Sequence, residues 1–372
     1  MVINNGLIFT ERFQFERNNI RIENGIITEI TEEKIEPENL EEVVDAENLM
    51  VIPGLTDLHF HGCVGYDFCD GTDEAITKMA EFQRSKGITN ICPATMTLPK
   101  ERLENICRVA AEHKSEADEA DLCGINLEGP FISPKRCGAQ NPDYVHKPDK
   151  DFLIDLMNRA GGLTKLVTIA PEEEGAIECI EALKDKIKFS VGHTVADYDE
   201  ADKAFQAGAG QATHLFNAMP PFTHREPGVI GAAVDHAEVM VELICDGIHI
   251  HPSAIRTAFK MFGEDRVILI SDSMRACGMP DGEYELGGLP VIKKGSTATL
   301  KDGTLAGSVT NLFDCMINAI KMGIPVEQAV RAATYNPAKS IGILDQCGSI
   351  EKGKEGKLVL LDQNYNIVRV IK

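Results

Sequence analysis

The sequence predicts an α/β protein, a TIM-like (β/α)8 barrel with a small β-sandwich domain built from both chain termini. Two observations predict this arrangement. In the middle of the chain, short runs of apolar and β-branched residues alternate with longer amphipathic stretches, which is typical of successive βα units. At both ends, alternating runs flank turn-forming residues instead, which is typical of β-hairpins. We therefore expect one small β-domain assembled from the two ends, with a larger domain inserted between them.

The two ends are assigned to the β-domain by their hairpin signals. Residues 1–52 are expected to supply its N-terminal part, because Asn24 and Gly25 separate two alternating segments in IRIENGIITEI and Asn-Gly favours a type I′ turn. Residues 345–372 are expected to supply its C-terminal part, where KLVLLD and IVRVIK flank a second turn-like segment, residues 363–366.

Residues 53–344 are expected to form the barrel. The candidate strands are, in order, GLTDLHFH, ITNICPAT, CGINLEGP, KLVTIAPE, KFSVGHT, QATHLFN, VMVELICDG and VILISDS. Amphipathic stretches such as DEAITKMAEFQRSKG separate most of them, and Gly87 and Gly208 lie where helices should end. A doubly wound open sheet is the alternative. The sequence has neither a GxGxxG after the first strand nor a GxxxxGK[ST] loop, so a nucleotide site is not supported.

Charge and composition disfavour several classes of partner. The formal net charge of −21 disfavours nucleic acid and anionic membrane surfaces, and it requires any anionic substrate to meet a local cluster of cations. No apolar run approaches the roughly 20 residues of a membrane span. The eleven cysteines are scattered singly, and the first residues lack a basic segment followed by an apolar run. We therefore expect reduced thiols in a cytoplasmic protein.

Chemistry-bearing side chains fall where the predicted strands end, which is where a barrel of this kind carries its active site. Four of the ten histidines and two acids fall at the ends of five strands, namely His59, His61, Glu128, His193, His214 and Asp272. The seventh strand leads to Asp246 and His249. Imidazoles with a carboxylate are the ligands of a catalytic divalent metal that keeps one position open. The sequence therefore predicts a metal-dependent catalytic domain.

The six strand-end residues divide into two candidate ligand sets. Glu128, His193 and His214 suffice for one catalytic metal. His59, His61 and Asp272 are candidates for a second, with Glu128 bridging the two ions. One or two divalent metals per chain are therefore expected, drawn from Zn²⁺, Fe²⁺, Mn²⁺ and Co²⁺ because the donors are nitrogen and oxygen.

Alternatives to these roles remain open. The His59–His61 pair is also consistent with a purely structural role, and Asp246 with a helix cap or loop anchor. Asp272 is a candidate for taking a proton from an activated water and returning it to a departing amine. That role competes with metal binding, because coordination lowers the basicity of a carboxylate.

Motifs from about Val51 to the C-terminus match one known family. They are PGLTDLHFHG, NLEGPFI, VGHT, ATHLFNAMPPFTHREPG, DGIHIHP, ISDSMRACG, TLAGS, ATYNPAKSIGI and GSIEKGKEGKLVLLD. By these motifs the chain resembles the N-acetylglucosamine-6-phosphate deacetylases of the amidohydrolase superfamily. The resemblance implies a barrel of the amidohydrolase type. It also implies hydrolysis of the acetamide of N-acetyl-D-glucosamine 6-phosphate to D-glucosamine 6-phosphate and acetate, in amino-sugar catabolism.

The resemblance also implies roles for individual residues. Asp272 would be the catalytic acid and base, and His249 would bind substrate and polarise the carbonyl. The Asn217–Ala218 backbone and Arg225 would hold the phosphate. In the family this arginine reaches in from a neighbouring subunit, which implies a functional homodimer. Next to it, His224 adds to the cationic character that a phosphate needs.

Three positions bear on how the chain compares with its family. Some members carry a substrate-contacting histidine where this chain has Gln140, so substrate contact by an uncharged amide is expected instead. Some members lack the first-strand histidine pair and use one metal; retention of His59 and His61 therefore favours two. In other branches of the superfamily a modified lysine bridges the metals, but Lys165 begins its strand and so lies at the wrong end of the barrel.

Two kinds of rival function are considered. One is another hydrolase on the same scaffold, either an N-acetylgalactosamine-6-phosphate deacetylase or a cyclic amidohydrolase resembling dihydroorotase. The phosphate-binding arginine disfavours the latter, whereas the two sugar epimers differ by one hydroxyl that a single loop residue can read. The other is a non-catalytic scaffold protein, which the retained ligands and acid disfavour.

Overall fold

The computed structural model describes residues 1–38 and 40–372. The strands, in chain order, are β1 (Val2–Phe9), β2 (Phe15–Glu23), β3 (Ile26–Thr31), β4 (Val43–Asp45), β5 (Met50–Pro53), β6 (Leu55–Asp57), β7 (Gly62–Cys63), β8 (Tyr66–Asp67), β9 (Ile88–Ile91), β10 (Asp121–Leu122), β11 (Ile125–Glu128), β12 (Thr164–Ile169), β13 (Lys188–Val191), β14 (Gln211–Ala212), β15 (Met240–Ile244), β16 (Val267–Ile270), β17 (Gly282–Leu286), β18 (Leu289–Lys294), β19 (Thr297–Thr299), β20 (Leu358–Leu361) and β21 (Ile367–Ile371). The α-helices are α1 (Asp73–Ser85), α2 (Lys100–Glu112), α3 (Lys150–Arg159), α4 (Ala176–Leu183), α5 (Tyr198–Ala207), α6 (Gly228–Asp235), α7 (Pro252–Phe262), α8 (Leu312–Lys321), α9 (Val326–Ala333) and α10 (Tyr335–Ser340).

Both ends of the chain contribute strands to one sheet, in the order β21-β20-β5-β1-β2-β3, with β4 pairing with β1. Asn24 and Gly25 have φ angles of 52° and 77°, and Glu23 pairs with Ile26, so the predicted Asn-Gly hairpin is confirmed. A second hairpin joins β20 to β21, as predicted. The sheet has its own group of buried side chains, which includes Ile3 and Leu360. The packing of two layers that a sandwich requires stays a prediction.

The middle of the chain forms a curled parallel sheet. Strands β10, β9 and β6 form one parallel group, and β11 to β16 form another in which each strand pairs with its neighbour in the chain. Each of the candidate strand runs contains one of these strands. A doubly wound sheet would reverse its strand order at a switch point, and β11 to β16 show no reversal. The strand order favours the predicted parallel arrangement over a doubly wound sheet; a complete eight-stranded barrel stays a prediction.

Backbone contacts connect the two parallel groups near the ends of their strands. Ala94, just after β9, forms an isolated parallel bridge with Asn126 of β11. On the other side, the Asp272 N–H donates to the His59 carbonyl at 2.9 Å. The segments that follow β6, β9 and β16 are therefore held beside one another, and these segments carry several candidate site residues.

Two of the helices end at or near glycine residues, as predicted. Helix α1 ends at Ser85, two residues before Gly87, whose φ is +76°, and Gly208 is the residue that ends α5, with a φ of +124°. An antiparallel sheet of β17, β18 and β19 follows the last parallel strand, and the sequence analysis did not predict it. Among the described residues, no helix combines the length and the apolar character needed to cross a bilayer.

Candidate metal centre and active site

The two histidines of the first parallel strand lie just beyond β6, with their rings 5.6 Å apart and nearly perpendicular. Nδ1 of His59 donates to Oε2 of Glu242 at 2.9 Å, and Nδ1 of His61 donates to the Ala94 carbonyl at 3.2 Å. Because Nδ1 carries the proton in each neutral ring, Nε2 is left with a lone pair. Both Nε2 atoms face Glu128, at 3.2 Å.

Glu128 lies at the centre of the site, at the last position of β11, with 2 % of its surface exposed. Its Oε1 lies 3.2 Å from His193 Nε2 and 3.0 Å from His214 Nε2. The chain turns sharply at the next residue: Gly129 has a φ of +89°, and a Cβ there would lie 2.1 Å from Thr97 Oγ1. Only glycine fits this turn, which directs the carboxylate of Glu128 to the interior.

His193 and His214 complete a second group of ligand atoms around the same carboxylate. Nδ1 of His193 donates to the Arg136 carbonyl at 3.0 Å, so its Nε2 also presents a lone pair. The Nε2 atoms of His193 and His214 lie 3.1 Å apart and both face Glu128. The structure thus brings these two histidines together as the sequence analysis expected.

The donor set fits divalent metal ions. Two groups of three residues have ligand atoms within 4.8 Å of one another: His59, His61 and Glu128, and Glu128, His193 and His214. All these residues are buried, and Nε2 of His59 has no hydrogen-bond partner among the described residues. Lone pairs that converge on a buried carboxylate are stable only with positive charge between them, and neutral imidazoles with a carboxylate suit Zn²⁺ and its neighbours.

Protons and metal ions compete for these ring nitrogens, and the pKa values of the histidines reflect the surplus of negative charge around them. Burial opposes a charge on His61, yet hydrogen bonds with Asp272 and Glu128 raise its pKa to about 10. For His59, burial is likewise outweighed by the charges of Glu128 and Glu242, which hold its pKa well above the usual value. The carboxylates therefore create a strong local demand for cations inside a chain that is acidic overall.

Asp272 lies beside the histidine pair, with Oδ1 at 3.3 Å from His61 Nε2 and 3.7 Å from His59 Nε2. Burial alone would raise its pKa, but the hydrogen bond with His61 and the charges of both imidazoles lower it. The side chain is therefore an ionised carboxylate near neutral pH. An ionised carboxylate is able to accept a proton, so the geometry is compatible with the acid and base role expected of Asp272.

His249 faces the same cavity and is held by Asp246. Nδ1 of His249 donates to Asp246 Oδ2 at 2.7 Å, and the other Asp246 oxygen accepts from the backbone N–H groups of Ile248 and His249. Burial lowers the pKa of His249, but the hydrogen bond and charge of Asp246 outweigh it, so the pKa is raised. Asp246 thus anchors its loop, which is one of the alternatives left open for it. It also orients an imidazole that lines the cavity.

A cavity of about 450 Å³ opens above these residues. Its wall includes Asn217, Ala218 and Gln140, three of the expected substrate contacts. Gln140 is 2 % exposed: its Nε2 donates to Glu128 Oε2 and its Oε1 accepts from the Thr97 N–H, both at 2.6 Å. Both ends of the amide are engaged within the chain, so Gln140 acts on Glu128 here, and its contact with a substrate stays a prediction.

Arg225 and His224 do not line this cavity in the single chain. Both are exposed, in the loop that precedes α6, together with Phe222, which is 50 % exposed. Lys135 and Arg136 are the cationic residues that line the cavity itself. The phosphate-binding role of Arg225, from this chain or from a neighbouring one, stays a prediction.

The remaining histidines and Lys165 lie away from the cavity lining. The other histidines have local partners away from the cluster: His113 contacts Asp73, His146 contacts the Lys147 carbonyl, His236 contacts Asp202, and His251 caps α7. Lys165 is the second residue of β12 and lies at the start of that strand, as the sequence indicated.

Two buried acids were missed by the sequence analysis. Glu242 is fully buried in β15, and its Oε2 accepts from His59 Nδ1 and from the His214 N–H. Asp57, also fully buried, accepts hydrogen bonds from Ser271 and from the His59 N–H. Burial raises the pKa of Asp57 to about 7. An isolated acid inside an otherwise apolar strand was the available signal, because such an acid needs a buried partner.

Several known proteins are similar to this chain over almost its whole length. A model of the amidohydrolase family matches residues 50–372. The N-acetylglucosamine-6-phosphate deacetylase of Bacillus subtilis (strain 168) is 37 % identical over 100 % of this chain and 95 % of that protein. The N-acetylgalactosamine-6-phosphate deacetylase of Escherichia coli O157:H7 is 31 % identical over 98 % of this chain and 95 % of that protein. A solved structure, a mutant N-acetyl-D-glucosamine-6-phosphate deacetylase from Mycobacterium smegmatis in complex with N-acetyl-D-glucosamine-6-phosphate, covers 100 % of this chain and 97 % of its own, with 32 % identity and a TM-score of 0.92.

Proposed function

This chain belongs to the amidohydrolase family, and on that premise we propose that it hydrolyses the acetamide of N-acetyl-D-glucosamine 6-phosphate to D-glucosamine 6-phosphate and acetate. The observation that carries the proposal is the 37 % identity, over the whole chain, to a deacetylase of that sugar phosphate. The reaction belongs to amino-sugar catabolism, and we assign it to the cytoplasm, which the unpaired state of the cysteines favours.

The metal centre would be built from the converging ligand groups. Glu128, His193 and His214 would hold one divalent ion, and His59 and His61 with Asp272 would hold a second, Glu128 being shared. Zinc, iron, manganese and cobalt all suit these donors. The metal supplies Lewis acidity, which makes water a stronger acid and the acetamide carbonyl a better electrophile.

The residues of the chain would move the proton and orient the substrate. Asp272 accepts a proton from the attacking water and gives it to the departing nitrogen, which needs a proton to leave as an amine. His249, held by Asp246 at 2.7 Å, contacts the sugar and helps to polarise the carbonyl. Gln140 holds Glu128 at 2.6 Å and lies in the cavity wall, where an exchange of partners would let it contact the acetyl group.

The phosphate would be held by the Asn217–Ala218 backbone and by Arg225, with His224 nearby. Support comes from charge: the chain has a formal net charge of −21, so a phosphate needs local cations, and a guanidinium binds it through paired donors. Arg225 is exposed and lies outside the cavity of its own chain. We therefore propose a homodimer in which Arg225 serves the partner's site.

The finer architecture is proposed on similar grounds. Residues 53–344 form the catalytic (β/α)8 barrel, and residues 1–52 with 345–372 form the small β-sandwich. The barrel is supported by the backbone contacts Ala94–Asn126 and Asp272–His59, which connect the two parallel groups. The β-domain is supported by the pairing of β5 with β20 across nearly the full length of the chain.

The galacto epimer is the alternative substrate, because a relative 31 % identical to this chain is a deacetylase of that sugar phosphate. The gluco epimer is favoured by the more similar relative, at 37 %. A cyclic amidohydrolase is disfavoured, because its substrate carries no phosphate for Arg225 to bind.

Acetate release from four compounds tests the proposal: the gluco and galacto 6-phosphates and the two unphosphorylated sugars. We expect the highest kcat/KM for the gluco 6-phosphate and a loss of about a hundredfold or more without phosphate, since a charged partner is worth several kcal/mol. A higher value for the galacto 6-phosphate would assign the other epimer. No acetate from any compound, with metal-replete protein, would refute deacetylation.

A further inference from the structure

Glu242 is an acidic residue in a buried strand. It is fully buried in β15, whose other members are Met240, Val241, Leu243 and Ile244. A carboxylate in such a place is costly unless its oxygens are satisfied by donors. It does not line the cavity, so it cannot touch a substrate there.

The hydrogen bonds of Glu242 connect the two groups of candidate metal ligands. Its Oε2 accepts from His59 Nδ1 at 2.9 Å and from the His214 N–H at 3.0 Å. His59 belongs to one group and His214 to the other, and they share only Glu128 as a ligand. One buried oxygen therefore fixes the ring of His59, which follows β6, and the backbone that follows β14.

The other carboxylate oxygen of Glu242 is also hydrogen-bonded. Its Oε1 accepts from Gln211 Nε2 at 2.6 Å, and Gln211 Oε1 accepts from the hydroxyl of Ser340. Both of these residues are buried, at 0 % and 5 % exposure. The chain of hydrogen bonds runs from α10 through β14 and β15 to the histidine ring, so the carboxylate has little freedom to turn.

We propose that Glu242 is a positioning residue of the metal centre. It keeps the Nδ1 proton of His59 in place, so that Nε2 points its lone pair at the metal position, and it holds the His214 backbone in its left-handed conformation, φ +27°. A carboxylate behind a ligating imidazole also raises the basicity of that ligand. The inference rests on the proposed function, because it assumes that the two groups bind metal.

The consequence is that the metal beside His59 depends on Glu242 more than the other metal does. Glu242 contacts the ring of His59, which would bind the ion directly, but only the backbone of His214. Removing a partner of this kind typically costs about 10- to 100-fold in metal affinity. A residue that merely filled space would change thermal stability and leave the affinity as it was.

The test is Glu242→Gln, with metal content measured by mass spectrometry after equilibration with graded concentrations of a chelator. The fold should tolerate this change, because the Gln211 amide can turn over and give its oxygen to the new amide. We expect the more weakly held metal to be lost at about tenfold lower chelator concentration. His59→Ala provides the reference, with metal content falling from two per chain towards one.

Glu119→Gln is the matched control. Glu119 is also a buried acid beside a histidine, with Oε2 at 3.2 Å from His113 Nε2 and 3 % exposure, but it lies outside the cluster. We expect this variant to lose stability without any change in metal retention. If both variants retain two metals as the parent does, within about twofold, the role of Glu242 is refuted.

Two further outcomes separate the inference from the function it rests on. If Glu242→Gln does not fold, Gln211→Met removes the donor that holds Oε1 and should shift metal retention in the same direction; unchanged retention would overturn the inference. If the metal-replete parent binds no metal, the proposed function and the inference both fail. If the parent binds two and the variants match it, only the inference fails.

Discussion

Three of the candidate metal ligands hold a backbone conformation that residues other than glycine seldom adopt. The φ angles of His193, His214 and Asp272 are +46°, +27° and +47°. Such conformations cost about 1 to 3 kcal/mol each and persist only where neighbours impose them. Here the imposing contacts include Glu242, which accepts from the His214 N–H, and His59, whose carbonyl accepts from the Asp272 N–H. The strain turns these three side chains towards Glu128 at the ends of their strands.

Asp272→Asn tests the proton-transfer role at this scale. The amide keeps the shape of the carboxylate but cannot accept and return a proton. We expect acetate release to fall by about 10²- to 10⁴-fold, which is the usual size of a general acid and base contribution. The ion held by Glu128, His193 and His214 should remain bound, because these three ligands are unchanged. Acetate release within about tenfold of the parent, measured alongside metal content, would contradict the assignment.

Asp246→Asn tests what sets the protonation of His249. Burial lowers the pKa of His249 and the hydrogen bond and charge of Asp246 raise it, with a net rise above 6.5. Without that charge we expect the pKa to fall below its ordinary value, as followed by nuclear magnetic resonance titration of the ring. Asp202→Asn, beside His236 at 2.8 Å, is the control and should leave His249 unchanged.

The same pair gives a pH dependence of stability. A histidine whose folded pKa is raised contributes stability that is fully present below its unfolded pKa and is lost as pH rises through the folded pKa. Asp246→Asn should therefore lower the free energy of unfolding more at about pH 5.5 than at about pH 9. Equal losses at both pH values would show that the ion pair adds no pH-dependent stability.

At the scale of elements, glycines let neighbouring strands approach beside the ligands. A Cβ on Gly192, between β13 and His193, would lie 2.5 Å from the Cβ of Thr213, the residue before His214. Thr213 is fully buried, and its hydroxyl is hydrogen-bonded to that of Ser190, so it has no room to move. The close approach of the two histidine rings therefore depends on Gly192, which has no Cβ.

Gly192→Ala should push β13 and β14 apart. We expect a loss of about 1 to 3 kcal/mol in the free energy of unfolding, as for overpacking of a core, together with weaker metal retention, because the His193 and His214 Nε2 atoms separate. Gly210→Ala is the control: among the described residues its Cβ would contact the end of the Lys188 side chain, with Nζ at 3.6 Å and Cε at 3.9 Å. Equal thermal stability and metal content of the two variants would contradict this account.

The elements were more predictable from the sequence than their buried polar contacts. Apolar runs bounded by turn residues located the parallel strands, because burial on both faces leaves little room for polar residues. Glu242 and Asp57 were missed because the one local signal, an acid within an apolar run, does not say which residues the acid contacts; Glu242 accepts from His59 and Asp57 from Ser271, both far away in the chain. Gln140 was identified as a site residue, but its bond to Glu128 depends on how a loop folds over the cavity. The β17–β19 sheet was missed although a hairpin signal was available, because Gly287 and Gly288 separate two short segments that pair as antiparallel strands.

At the scale of the whole molecule, the charge distribution bears on assembly. The acidic chain presents Lys135 and Arg136 at the cavity, while Arg225 is exposed in a separate loop. An anionic substrate would gain a further cation if a second chain placed its Arg225 over the cavity. A closed two-fold dimer would supply this contact to both sites at once.

Mixing two inactive variants tests the shared site. Arg225→Ala and Asp272→Asn each impair one function, and a mixed dimer would contain one site with an intact Asp272 and a partner's intact Arg225. After unfolding and joint refolding in equal amounts, we expect up to about a quarter of the parental activity. The control pairs Arg225→Ala with the double variant, which should restore nothing. No gain in the first mixture would place Arg225 at its own chain's site or at none.

The pairing of β5 with β20 has a consequence for biosynthesis. β5 ends at Pro53 and β20 begins at Leu358, so the terminal sheet lacks two of its strands until the ribosome has made everything between them. Until then β5 has an unpaired edge, and such edges are where nascent chains associate wrongly. The parallel strands, in contrast, pair largely with the next strand along the chain and can assemble as they emerge. The nascent chain thus passes through a stage in which the parallel strands are already made while one edge of β5 is still unpaired.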